Sequence, residues 1–270
     1  LTKLPWVDAV SIEPCGAIID CRGGLEEYLR AALGDERLAS GVASRAMHIA
    51  RSIQAPYGAR MMLGLRAAME LGAEGAPGYS EELGRGLVES IPGWSVFPDS
   101  AEGISLLRES GYRVILVSGL EEWILRAFVG GSGISVDAVY GAGSEGPFKP
   151  NPRALFTAYR DAGIPIWRGL HAGQDIDEDV RPAMVLGLRT AWVNRYGEEE
   201  PEEGIASEYI VGSLGELAEQ LSEGREGRDL DGWLRRHEGP GGDHYPRVDP
   251  SGPRRGPLSG PPRPPGRRTA

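Results

Sequence analysis

The chain is poor in cysteine: two in 270 residues, Cys15 and Cys21. That is too few for a disulfide framework in a domain of this size. It has no apolar run near the ~18 residues that a membrane-spanning helix needs. Positive charge is short as well, and the net charge of −10 argues against a nucleic-acid-binding body, because a polyanion needs a basic face. The first residues include Asp8, Glu13 and Asp20 and lack the basic-then-apolar pattern of a secretory signal, so the expected location is the cytoplasm. Lysine is scarcest of the charged types: of 29 basic residues only Lys3 and Lys149 are lysine. A chain that writes arginine almost everywhere singles out Pro147-Phe-Lys-Pro-Asn-Pro152 as a place for a compact ammonium rather than a planar guanidinium.

What is present is an unevenly charged chain with a clear change of pattern along it. Residues 239–270 hold six Arg, two Asp, nine Pro and seven Gly. That composition cannot form a packed core and reads as a solvated extension whose partner is unassigned. Before it, Val7–Ile12 has the β-branched, apolar make-up of a strand. Leu25–Leu33 then places apolar residues at i, i+3, i+4, i+7 and i+8, and helical runs follow at Asp35–Ala55, Gly58–Leu71 and Ser80–Ile91,. Gly34, Pro56, Gly72 and Pro92 separate them. Met61, Met62 and Met69 lie in this block and are expected in the core of a helical cap or against its base.

From Pro92 the pattern alternates. Helices are expected at Glu102–Ser110, Leu120–Val129, Pro152–Ala162, Asp177–Leu186 and Leu214–Leu221. Strands are expected at Tyr112–Val117, Val136–Tyr140, Leu170–Ala172, Thr190–Val193 and Glu208–Val211. Such alternation predicts an α/β fold, a doubly wound parallel sheet covered by helices on both faces in three layers. The predicted organisation is a core of residues 1–22 and 92–223, a helical-bundle cap at 23–91 and a tail at 224–270. Within the tail, Asp229–His237 reads as one further amphipathic turn or two.

The chemistry-bearing residues lie where predicted strands end, which is where open α/β sheets bind ligands. Gly173-Gln-Asp-Ile-Asp-Glu-Asp179 puts four acids after the strand Leu170–Ala172. Part of that acidity serves as capping charge at a helix N-terminus; the rest is available as metal ligands. Four segments in order resemble the haloacid dehalogenase superfamily of phosphatases and dehalogenases. They are Val10-Ser-Ile-Glu-Pro-Cys-Gly16 followed by Asp20, Val117-Ser-Gly119, Lys149-Pro-Asn-Pro152, and Gly173-Gln-Asp175 with Asp179. The helical cap falls between the first and the second, as it does in that family, and the resemblance covers residues 7 to about 222.

The resemblance implies a Rossmann-like core, hydrolysis of a small phosphorylated or anionic metabolite through a covalent carboxylate intermediate, and Mg²⁺. It places Glu13 at the nucleophile, Cys15 at the phosphatase general acid/base, and Ser118, Gly119 and Lys149 at the anion-binding positions. Glu13, Gln174 and Asp179 fall at the metal positions, with Asp175 one position late as a substitute ligand. Three of these depart from the family. Glu13 replaces an aspartate with a side chain one methylene longer, and a displacement of 1 Å at a reacting atom costs ~100-fold in rate. Cys15 and Gln174 replace acids. The expectation is therefore strongly reduced Mg²⁺-dependent catalysis; the alternative is a working hydrolase that uses Glu13 with a metal shifted onto Asp175 and Asp179. His171 is expected as a satisfied core histidine. Asp20, considered as the nucleophile of a shifted loop, would orphan Gly16. The expected partner is a small anionic or phosphorylated molecule, with no membrane and no nucleic acid for the body.

Overall fold

The computed structural model describes residues 1, 3–71, 78–143, 147–201 and 207–228; the turn expected at Asp229–His237 and most of the expected tail lie outside these. Six strands form one parallel sheet in the order β3-β2-β1-β4-β5-β6: β1 (Ala9–Ile12), β2 (Arg113–Glu121), β3 (Ala138–Ala142), β4 (Gly169–Gly173), β5 (Arg189–Val193) and β6 (Tyr209–Val211). Strand alternation sorts the side chains. Val10, Ile12, Val114 and Leu116 face one layer, while Ala9, Ile115 and Val117 face the other. The first layer contains α6 (Ser100–Glu109), α7 (Glu122–Ser132) and α10 (Leu214–Ser222). The second holds α8 (Pro152–Asp161) and α9 (Arg181–Val185). This is the predicted three-layer α/β architecture.

Between β1 and α6 lie α1, a distorted turn at Pro14–Ala17, and four helices: α2 (Cys21–Leu33), α3 (Glu36–Ala50), α4 (Tyr57–Glu70) and α5 (Glu81–Ser90). Asp20, Asp35 and Ser80 cap α2, α3 and α5 with their side chains, which satisfies amide groups that helix starts leave unpaired. Asp20 is thus a capping residue. Met61 and Met69 are buried in the cap, and Met62 is half-buried.

Two elements differ from the sequence expectation. β2 does not stop at Val117 but runs through Ser118 and Gly119 to Glu121, which pairs with Ala142 after a register shift; the helix expected from Leu120 starts at Glu122. The helix expected at Asp177–Leu186 opens with a wide π-type turn at Ile176–Val180 before α9. Pro182 has no N–H to return to the Glu178 carbonyl, so a regular α-turn is not available there. Among the described residues no helix is long and apolar enough to cross a membrane.

Candidate functional site

The order of the strands reverses at β1 and β4, and the carboxyl ends beside that switch point form the site,. Glu13 follows β1 directly, and its backbone N–H donates to the Ala172 carbonyl at 2.9 Å. The turn that follows is tight. Gly16 has φ +85°, and a Cβ there would stand 2.9 Å from the Gln174 Cβ, so a side chain at position 16 is excluded twice over. Arg195 fixes the far side of the turn by donating to the Ala17 carbonyl at 2.7 and 3.0 Å while pairing with Asp99.

The Glu13 carboxylate is buried and enclosed by donors. Its Oε1 accepts from Ser118 Oγ at 2.6 Å and from the Cys15 N–H at 3.2 Å; its Oε2 accepts from Lys149 Nζ at 2.8 Å and the Gly119 N–H at 3.3 Å. Lys149 also donates to Asp179 Oδ1 and lies 3.5 Å from His171 Nε2. Burial alone would push the Lys149 ammonium down, but the Asp179 and Glu13 carboxylates together outweigh it and hold its pKa above the ordinary lysine value. Burial, against the pull of Lys149, raises Asp179 above the usual carboxylate range, with Glu13 and Asp175 adding to the rise. The His171 pKa falls well below the ordinary value, through burial first and the Lys149 charge second. His171 is therefore the satisfied core histidine expected. Its Nδ1 meets Ser11 Oγ at 2.8 Å, and Tyr159 Oη donates to the same hydroxyl at 2.9 Å.

The structure thus brings Glu13, Ser118, Gly119, Lys149 and Asp179 together. Cys15, Gln174 and Asp175 line the same cavity, but their side chains are engaged elsewhere. Asp175 turns away to cap the next turn, its Oδ1 accepting from the N–H groups of Asp177 at 2.9 Å and Glu178 at 3.0 Å. These contacts agree with the capping reading of its acidity, and Arg51 lies 3.5 Å from the other carboxylate oxygen. Gln174 turns its amide nitrogen to Glu198 at 3.2 Å. Cys15 is joined to Cys21 in a disulfide, with Cα atoms 5.6 Å apart. It carries no thiol proton in that state, so only the reduced form could act as the expected proton donor.

The family resemblance implies Mg²⁺, which needs hard oxygen ligands in near-octahedral geometry. The residues present do not fit it. An ammonium stands between the two buried carboxylates, and the third family acid is a neutral amide. Among the described residues, no group of three His, Cys, Asp or Glu is placed to hold a metal ion. No buried side-chain nitrogen or oxygen there lacks a hydrogen-bond partner.

A cavity of about 520 Å³ lies over the site, between sheet and cap. Sequence reasoning missed its cap wall. Arg60 is buried and clamps Glu178 with both guanidinium nitrogens, one at 2.6 Å, a two-pronged geometry that suits carboxylates. Burial works against the Arg60 charge, but the Glu178 hydrogen bonds more than offset it and raise its pKa. Tyr57 lies beneath, its ring 5.1 Å from the guanidinium. Pro56 supplies α4 with no side-chain cap. Glu121, at the end of β2, takes that part across the interface, accepting from the N–H groups of Gly58 and Ala59 at 2.9 Å each. Arg22 of α2 pairs with Glu198. A helical pattern marks Arg60 as a polar position and carries no sign of a partner 118 residues away.

No protein-family model matches the chain. A phosphoserine phosphatase of Thermus thermophilus is 29% identical over 154 residues, 55% of this chain and 61% of the relative. The pyrimidine 5′-nucleotidase YjjG of Escherichia coli is 38% identical over 77 residues, 28% of this chain and 34% of the relative. The matched stretches thus span less than two thirds of either relative. Among solved structures, the L-2-haloacid dehalogenase of Xanthobacter autotrophicus with chloropropionic acid covalently bound aligns with a TM-score of 0.67 at 18% identity. That alignment covers 80% of this chain and 98% of the other.

Proposed function

We propose that this chain, haloacid dehalogenase-like in fold and in its relatives, binds a small phosphorylated or otherwise anionic molecule between cap and sheet and has lost Mg²⁺-dependent phosphatase turnover. The observation that carries the loss of turnover is the seat of Glu13; the anion would lie above it, in the cavity that Arg22, Arg51 and Arg60 line. The Glu13 carboxylate saturates the hydroxyl, ammonium and amide that the resemblance assigns to an incoming anion. Lys149 also pairs with both Glu13 and Asp179, the two acids that the resemblance assigns to a metal. The alternative is a hydrolase that uses Glu13 as nucleophile without a metal. One feature favours it: Lys149 offsets the charge that Glu13 and Asp179 would otherwise bury unpaired.

A screen of phosphorylated metabolites and of 2-chloropropionate, with and without Mg²⁺ or Mn²⁺, on the wild type and on Glu13→Ala, separates the two. The first reading expects no turnover from either protein. Turnover by the wild type that Glu13→Ala abolishes would decide for the second. Restoring the family acids by Glu13→Asp, Cys15→Asp and Gln174→Asp together is expected to produce Mg²⁺-dependent phosphatase activity from zero.

A further inference from the structure

The chain's only two cysteines are bonded to each other at the point where core becomes cap. Cys15 belongs to the turn after β1, and its N–H donates to Glu13. Cys21 is the first residue of α2, the first helix of the cap. Between them runs one of the two crossovers joining the halves, and it pairs with the other through Phe97 N–H to Ile18 O (2.8 Å) and Asp20 N–H to Ser95 O (2.9 Å). Cap and core also share one apolar cluster that includes Leu25, Leu29 and Met61 with Ile12 and Leu120; the polar contacts across the boundary are Arg60 with Glu178, Arg22 with Glu198, Arg51 with Asp175, and Glu121 with the start of α4. The exposed ionic contacts among these can exchange for water, whereas the disulfide cannot.

The pair is also placed for exchange. Both cysteines line the cavity; Cys15 is half-buried and Cys21 buried, which makes Cys15 Sγ the reachable sulfur. Cys21 opens a 13-residue helix, whose dipole favours a thiolate there and makes it a better leaving group.

From this we infer that Cys15–Cys21 is a redox-modification site: a staple that holds the cap over the cavity and is released by a small dithiol or a protein dithiol. In the forward step a thiolate of the dithiol attacks Cys15 Sγ, the Sγ–Sγ bond breaks, and Cys21 leaves as thiolate. The second thiol of the dithiol then displaces Cys15 and closes the reductant's own disulfide. Two electrons pass to the cysteines, and the two protons of the dithiol end on them. Reduction frees the Ile18–Asp20 crossover to turn, and the cavity over Glu13 opens. The inference rests on the cap–core geometry and is independent of whether the protein turns a substrate over.

The test uses the full chain purified without reductant, with dithiothreitol as the probe. Thiol titration of the native protein should count zero reactive thiols before treatment and two after. Hydrogen exchange is then read at the Gly58 and Ala59 amides, which are hydrogen-bonded to the core by Glu121. Their exchange should rise by ~10-fold or more on reduction, given the stabilisation typical of a disulfide, while the Ile12 and Leu116 amides inside the sheet keep their rates. Cys15→Ser and Cys21→Ser should each exchange like the reduced wild type and ignore dithiothreitol. The inference is overturned by two thiols in the untreated protein, by a bond that native-state dithiothreitol leaves intact, or by unchanged exchange at Gly58 and Ala59. An equal rise at the sheet amides overturns it too, since that is global loosening and not release of the cap.

Discussion

Ser118 Oγ donates to Glu13 Oε1 at 2.6 Å, so the hydroxyl at the end of β2 is spent on the chain's own carboxylate. With the Lys149 ammonium and the Gly119 and Cys15 amides it forms a cradle that holds one anion, and the glutamate is long enough to be that anion. An aspartate in the same place has one methylene less to reach with.

Emptying the cradle should therefore create an anion site. Glu13→Ala leaves the Ser118, Gly119 and Lys149 donors facing the cavity, and charge-assisted hydrogen bonds of this kind are the strong ones. Inorganic phosphate is expected to bind Glu13→Ala at least ~10-fold more tightly than wild type, about 1.4 kcal/mol. Isothermal titration at fixed ionic strength measures it. Equal affinities in the two proteins would show that the cradle does not accept external anions.

Lys149 should matter for stability more than a surface lysine does. Its side chain and that of Asp179 are almost fully buried, and Glu13 nearly so. Lys149→Met leaves two buried carboxylates with no counter-charge, and breaking a buried ion pair from one side costs ~3–5 kcal/mol. Urea unfolding at pH 7.5 should show a loss of that order. The sign with pH also follows. Lys149 holds the Asp179 pKa down, so without the ammonium Asp179 takes up a proton more readily and part of the loss should return at pH 5.5. A loss that stays constant with pH would mean the damage is one of packing, not of charge.

How much of this was readable beforehand depends on what each feature needs. The strands and helices needed only local pattern, and Gly34, Pro56 and Pro92 mark helix limits that the structure keeps to within a few residues. The meeting of Glu13, Ser118, Lys149 and Asp179 needed the order of motifs around one sheet, which the resemblance supplied. The misses are contacts whose partners lie far apart in the chain or whose direction is a matter of a single side chain. Asp175 and Gln174 are neighbours in a turn, and no pattern tells which carboxylate or amide will cap, pair or face the site. Cys15 and Cys21 are six residues apart, and low cysteine content argued against a framework while saying nothing against a single bond. Glu121 extends β2 beyond the motif and reaches α4 at Gly58, 63 residues earlier.

His171 gives the site a pH dependence of known sign. Its folded pKa lies below the ordinary 6.5, because burial and the Lys149 charge oppose the imidazolium. Below pH 6.5 the unfolded chain binds a proton there that the folded chain refuses, so stability is lost as pH falls from 6.5 toward the folded pKa. Asp179 works the other way. Its folded pKa lies above 3.8, so the folded chain holds a proton that the unfolded chain releases, and stability is gained as pH falls through the folded value. In wild type the two oppose each other on mildly acid solutions. His171→Asn removes the first and keeps a donor for Ser11. Between pH 7.5 and 5.5 the variant should therefore gain on wild type by ~1 kcal/mol, within the ~1.4 kcal/mol per pH unit that one group can contribute. Urea midpoints at those two pH values measure the difference. Parallel stability curves would mean that His171 takes up its proton in the folded state as readily as in the unfolded one.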